Sequence, residues 1–289
     1  MNKMNKEKYL ELKKKRQELK QGYIEEKCRI KDAKKLELEE IKDQYKIDML
    51  SIEDPLEAEK YRLKVEKKKR NRMLNEAPKR TTLEEIGNAI THGVGAILGI
   101  IFLVLMILKA TEWRSYTAAI IYGLCFFFQM FFSCMYHAFR HGTRVKRLFR
   151  RFDYISIYLQ IGGTYAPLYL IYMVEKQWGF NWGISLFAIQ WILIITGITF
   201  IGVFGPGRIR WLHFTMYFAI GWSGVLFFYN WIINDLPLLF WILGGGIVYT
   251  LGMIPFAALK HKPVSHFIWH FVVLAGAILM WVGIYLYVF

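Results

Sequence analysis

The sequence predicts an all-α protein: a seven-transmembrane helix bundle, N-terminus cytoplasmic and C-terminus outside, preceded by a charged helical or partly disordered N-terminal arm. Three observations point there. Of 289 residues, 55% are hydrophobic and 17% aromatic, above the roughly 45–50% apolar content of soluble domains. The net charge is nevertheless +15, and 25 of the 38 Lys/Arg and 17 of the 23 Asp/Glu fall in residues 1–80. Residues 81–289 read as a succession of apolar stretches of about 20 residues, the length a helix needs to cross a bilayer. A single soluble enzyme domain, a collagen-like chain and a wholly disordered chain are excluded. Cys28, Cys125 and Cys134 are too few and too scattered for a disulfide framework. No apolar core near Met1 suggests a cleaved secretory signal.

The arm comes first, a candidate cytoplasmic segment over residues 1–80. Residues 1–75 are dense in Lys and Glu and nearly free of Gly, a good helix composition. Heptad spacing runs from Leu12 to Leu19 and from Tyr23 to Ile30, then drifts, and Pro55 breaks any helix there. A short coiled coil, and with it a homo-oligomer formed through the arm, is one reading. A solvated charged helix or a partly disordered arm is the other. Lys67, Lys68, Lys69, Arg70 and Arg72 precede the first span and suit the anionic headgroups of a cytoplasmic leaflet. No aromatic platform or motif supports nucleic-acid binding.

The transmembrane domain, residues 81–289, divides into seven stretches: Gly87–Leu108, Tyr116–Phe139, Phe152–Met173, Trp182–Phe204, Trp211–Ile233, Leu236–Leu259 and Val264–Phe289. Lys and Arg stay on the cytoplasmic side. They crowd the arm, the break after the second stretch (Arg140, Arg144, Lys146, Arg147, Arg150, Arg151), the break after the fourth (Arg208, Arg210) and the break after the sixth (Lys260, Lys262). The alternate breaks are weakly charged: Lys109, Glu112 and Arg114; Glu175 and Lys176; Asp235. The two sets alternate without conflict, which predicts a multi-pass protein of the cell membrane with its N-terminus inside and its C-terminus outside.

Ionisable groups within spans are costly and mark function. Ser133 and His137 lie four apart near the end of the second span. Asp153 lies in the first turn of the third. His266 and His270 lie four apart at the start of the seventh. Residues four apart share a helix face, and the orientation puts all five at one depth, within two turns of the cytoplasmic surface. His137, His266 and His270 can supply the three ligands of a zinc site with an open position. Asp153 could orient or deprotonate a water made acidic by the metal, and Ser133 could hydrogen-bond a ligand or a substrate oxygen. Copper or nickel would also accept three imidazoles. The plainer alternatives are interfacial histidines, a serine satisfying its own helix's carbonyl, and Asp153 paired with Arg150 or Arg151.

Other polar residues are more ambiguous. Glu84, Glu85, Asn88, Thr91 and His92 begin the first span. His92 either faces the same cavity or belongs to the helix start, where Thr81 or Thr82 caps and Glu84 or Glu85 favours the positive end. His213 reads as interfacial, His141 and His261 as loop residues, and Cys134 as packing. Gly162, Gly163 and Pro167 interrupt the third span, and Gly244–Gly246 the sixth. Close helix packing explains them, as does a lipid-accessible cavity between helices; Pro167 should kink its helix.

EEIGNAITHGVG (84–95), SCMYH (133–137), DYISIYLQIGGTYAP (153–167), GGIVYTLGMIPFA (245–257) and HFIWHFVVLAG (266–276) together resemble the haemolysin III family, within the progestin and adipoQ receptor superfamily that includes adiponectin receptors. The resemblance covers about residues 84–280 and leaves out the arm. It implies seven spans, an internal N-terminus and zinc held by three histidines, which fall on His137, His266 and His270, with the family's Ser and Asp on Ser133 and Asp153. The sequence departs from the pattern after the seventh-span Gly, where Ala277 and Met280 stand in place of a Ser and a further His. Three functions are compatible: a zinc-dependent hydrolase of a lipid amide or ester, a non-enzymatic membrane sensor stapled by zinc, and a channel or pore-forming cytolysin.

Overall fold

A computed structural model describes residues 30–31, 33–176, 180–258 and 264–289. The chain separates into two compact units, one ending at Leu74 and the other running Asn75–Phe289. Leu12, Leu19, Tyr23 and the heptads they define lie outside the described residues, as does His261.

The first unit contains two helices, α1 (33–53) and α2 (Pro55–Asn75). Pro55 does not only end a helix; it starts one. Asp54 accepts from the Leu56 and Glu57 amides at 3.0 and 3.2 Å, so it caps α2 and Pro55 takes the first helical position, where its missing N–H costs nothing. The two helices pair antiparallel through Arg72–Glu39, Lys69–Glu40 and Lys68–Asp43 ion pairs, with Ile47 and Ala58 buried. The basic cluster is thereby partly neutralised within its own unit, while Lys67 and Arg70 stay exposed.

The second unit is a helical bundle: α3 (Thr82–Lys109), α4 (Trp113–Ala138), α5 (Arg144–Pro167), α6 (Met173–Lys176), α7 (Phe180–Phe204), α8 (Arg210–Gly221), α9 (Phe228–Asn234), α10 (Leu236–Ala258) and α11 (Val264–Tyr287). Consecutive helices pack as neighbours and α11 returns against α3, while α5 touches α4, α7, α8 and α11. Among the described residues, six helices are long and apolar enough to cross a membrane: α3, α4, α7, α8–α9 taken as one, α10 and α11. The expected third span is absent from that set. Its helix begins in the charged run Arg144–Arg151, more than two turns before Asp153, and its regular winding ends at Pro167. There the chain widens into a π turn, Leu168–Tyr172, before α6. Proline lacks an N–H and crowds the preceding turn; a wider winding accommodates it without ending the rod.

Burial is inverted relative to a soluble protein. On α3 the large apolar residues Ile90, Val94, Ile97, Ile101, Val104 and Leu108 are 46–76% exposed. The opposite stripe buries Asn88, His92, Gly95, Gly99, Phe102 and Met106. A continuous apolar exterior of this kind has lipid as its solvent. The chain is a multi-pass membrane protein.

Two contacts shape the interior. Gly123 of α4 lets α3 approach closely: a Cβ there would lie 2.5 Å from Leu103 Cβ and 3.0 Å from its Cα. Relief requires backbone movement, so Gly123→Ala should destabilise by about 1–3 kcal/mol, read as a lowered unfolding temperature in detergent with secondary structure intact. Tyr165 of α5 explains the interruption between α8 and α9. Its buried hydroxyl donates to Gly221 O and accepts from Gly224 N–H, both at 2.7 Å. This holds Trp222–Phe227 in tighter 3₁₀ winding and leaves space beside α5.

Candidate metal centre and its cavity

Three histidines from two helices meet. His137 stands on the last turn of α4, and His266 and His270 on the first turns of α11. One ligand nitrogen from each lies within 4.8 Å of the other two. His266 Nε2 is 3.3 Å from His137 Nε2 and 3.1 Å from His270 Nε2. One proton on His266 Nε2 can serve only one of these contacts. A cation between the rings satisfies both, and these two spacings match the roughly 3.3 Å edge of a tetrahedron with metal–nitrogen bonds of about 2.0–2.1 Å, while the third pair, His137 and His270, lies within 4.8 Å. The donor set therefore fits a transition metal, and imidazole suits zinc, copper and nickel alike.

The surroundings orient these rings. Glu85 Oε2 lies 2.6 Å from His137 Nδ1, and Glu85 Oε1 accepts from Lys146 Nζ at 2.8 Å. A carboxylate on the far nitrogen fixes the tautomer that aims Nε2 at a metal. Asn88 Nδ2 also approaches His137 Nδ1, at 3.5 Å. Lys146 is buried, donates to Phe139 O at 2.9 Å and sits 4.9 Å over the Tyr136 ring. Burial pushes its ammonium pKa down, against the pull of Glu85. His92 lies on the inward face of α3, its ring 3.9 Å from that of His270. It faces the cavity rather than the helix start. The cap is made by Thr81 and Glu84, each accepting from the other's amide, at 3.3 and 2.9 Å.

Ser133 and Asp153 join the same place. Ser133 is one turn before His137 and buried, and it lines the same cavity as Asp153. Asp153 is not an ion-pair partner of Arg150, whose guanidinium donates to Glu76 O at 3.0 Å; among the described residues no ion pair within 4 Å joins them. His266, His270, Ser133, Asp153 and His92 all line one cavity of about 220 Å³, which runs on between α5, α8–α9 and α10 along apolar walls. Met280 lines it too, and Ala277 is fully buried in the core.

The structure adds to three sequence readings. His213 is fully buried, with Nδ1 3.1 Å from the Tyr158 hydroxyl. Glu85, in the first turn of α3 as the helix-start reading has it, is also the partner of His137. Lys146, read as a topology marker, is buried at the site. The signal for Glu85 was present, since Glu85, Asn88 and His92 are spaced three and four apart on one face of α3. His141, in a turn, lies 2.9 Å through Nε2 from Ala77 O.

Residues 80–281 match the family described as haemolysin-III related. The chain is similar to Hemolysin-3 of Bacillus cereus, 36% identical over 212 residues covering 71% of this chain and 92% of that protein. It is also similar to the Hemolysin-3 homolog of Bacillus subtilis (strain 168), 33% identical over 218 residues, 72% of this chain and 95% of the relative. The chain belongs to the haemolysin-III related family.

Proposed function

We propose that the protein crosses the membrane seven times with its arm inside, binds zinc through His137, His266 and His270, and hydrolyses an amide or ester of a lipid. The carrying observation is that His266, His270, Ser133 and Asp153 share the wall of one largely apolar cavity, and that His137 meets His266 at its edge, Nε2 to Nε2 at 3.3 Å. Zinc, when bound, supplies Lewis-acid activation of water and carbonyl. Asp153 takes the proton from the attacking water and returns it to the nitrogen or oxygen that leaves as the C–N or C–O bond breaks, and the Ser133 hydroxyl steadies the carbonyl oxygen. The apolar walls hold the chain and exclude bulk solvent.

The seventh crossing is the rod from Phe152 through the π turn to Lys176. At about 1.5 Å per residue it is long enough, and nearly all of Leu168–Met173 is buried. If it did not cross, the basic breaks at Arg140–Arg151 and Arg208–Arg210 would fall on opposite sides, against the positive-inside preference. The arm then lies on the cytoplasmic face, its basic residues toward anionic lipid.

A second reading draws more directly on the relatives, both named for haemolysis: the protein permeabilises membranes, and the metal only staples α4 to α11. One experiment separates the two. Purified wild type and Asp153→Asn are given an acyl-amide and acyl-ester lipid panel and, separately, dye-loaded liposomes. Hydrolysis predicts turnover that falls about 10²–10⁴-fold in Asp153→Asn with metal content unchanged. Dye release that is equal in both proteins, with no turnover in either, supports the second reading. Bound zinc with neither activity points to a sensor.

A further inference from the structure

Deeper in the cavity than the histidines lies a second polar group that the hydrolytic chemistry does not use. Gln129 sits one turn before Ser133 on α4, and Gln160 two turns after Asp153 on α5, so they lie about 6 and 10 Å further along their helices. Both line the cavity, as do Thr164 and Tyr249. Gln129 and Gln160 are 5% and 7% exposed, and among the described residues the Oε1 of each has no hydrogen-bond partner. Gln160 Nε2 is engaged with Thr164 Oγ1 at 3.4 Å, which leaves its oxygen as the end facing the cavity. The Tyr249 hydroxyl, also in the cavity wall, has no hydrogen-bond partner among the described residues either. Buried amide oxygens without donors are rare because they lose water and gain nothing. None of the four residues carries a charge, so an ionised carboxylate or phosphate, which only accepts, gains little here.

We propose that this waist is a hydrogen-bonding subsite for a neutral donor, a hydroxyl or an amide N–H, carried on the chain of the lipid whose head lies at the histidines, with Gln129 and Gln160 as specificity-determining residues. The inference deepens the lipid reading above and rests on it. The donor belongs several carbons into the chain, since the waist lies about 6–10 Å deeper than Ser133 and Asp153 along the helices. A plain saturated chain would pass the waist with both amide oxygens unpaired. A chain hydroxyl at that level would donate to Gln160 or Gln129 and accept from Tyr249.

The test uses two matched pairs on the full-length, metal-loaded protein in detergent: the N-methyl amides of dodecanoic and 7-hydroxydodecanoic acid, which do not chelate, and the corresponding hydroxamates, which do. Binding is measured for wild type, Gln160→Leu, Gln129→Leu and His270→Ala. The hydroxylated member of each pair should bind wild type about tenfold tighter than the plain member, or ~1.4 kcal/mol. That preference should collapse toward unity in both glutamine variants while affinity for the plain chain is kept, which also shows that they are folded. If Gln160→Leu loses the plain chain as well, Gln129→Leu, on another helix, carries the test. Equal binding of the hydroxylated and plain chains to wild type, as a waist filled by ordered water would give, overturns the proposal. So does a preference that survives both glutamine substitutions. The metal reading fails separately, if hydroxamates hold no advantage over methyl amides or keep it in His270→Ala.

Discussion

Replacing His270 with Ala should reduce bound transition metal from about one ion per chain to less than about a tenth, because two imidazoles fall short of the three or four protein ligands that zinc sites use. His270 is 2% exposed and its Nε2 lies 3.1 Å from that of His266; because the His92 ring lies 3.9 Å from that of His270 and can act as a substitute ligand, His270→Ala and its control are compared in a His92→Ala background. The loss should be visible in stability as well. A metal that binds only the folded state stabilises it by about 4 kcal/mol at a free concentration a thousandfold above Kd. Added zinc should therefore raise the unfolding temperature of wild type and leave that of His270→Ala unmoved. His213→Ala is the matched control: it removes an equally buried imidazole that pairs with Tyr158 instead, so it should lower stability while keeping the metal. Elemental analysis of the purified proteins decides the matter. Full metal occupancy in His270→Ala, or its loss in His213→Ala, would remove the histidine cluster from the account.

The contrast between His270 and His213 also marks what the sequence could and could not disclose. The three converging histidines were legible because two independent regularities agreed: a four-residue spacing that aims two side chains at one point, and a charge alternation that sets His137 and the His266–His270 pair at one depth. His213 offered only its neighbourhood, next to Arg210, and neighbourhood along a chain does not say which way a side chain turns. It turns inward to the Tyr158 hydroxyl, 55 positions away. The further roles of Glu85 and Lys146 stayed hidden for the same reason. Each had an adequate local explanation, as a helix-start acid and a loop base, and their pairing spans 61 residues. Pro55 and Pro167 show a different limit. A proline announces that regular winding changes. Whether it opens a new helix, as at Pro55, or widens an existing rod, as at Pro167, depends on caps and packing that the proline does not itself encode.

Glu85 carries two duties that a pair of substitutions should pull apart. Its Oε1 neutralises Lys146, whose side chain is 1% exposed, and its Oε2 lies 2.6 Å from His137 Nδ1. Glu85→Leu leaves an ammonium buried with only the Phe139 carbonyl and the Tyr136 ring for company. Removing one partner of a buried ion pair costs about 3–5 kcal/mol. The same change should weaken metal binding about 10–100-fold, since His137 loses the carboxylate that orients it. The second substitution, Lys146→Met in the Glu85→Leu background, removes the stranded charge. Stability should then recover most of the way, because a buried ion pair replaced by apolar side chains of similar volume is commonly close to neutral. Metal affinity should not recover, because His137 Nδ1 still lacks its acceptor. Thermal unfolding and zinc titration of wild type, Glu85→Leu and the double variant report the two duties separately. A double variant as unstable as Glu85→Leu alone would mean that the site needs the shape of the pair rather than its charge balance. A double variant that regains wild-type zinc affinity would mean that Glu85 does not orient His137 and serves only Lys146.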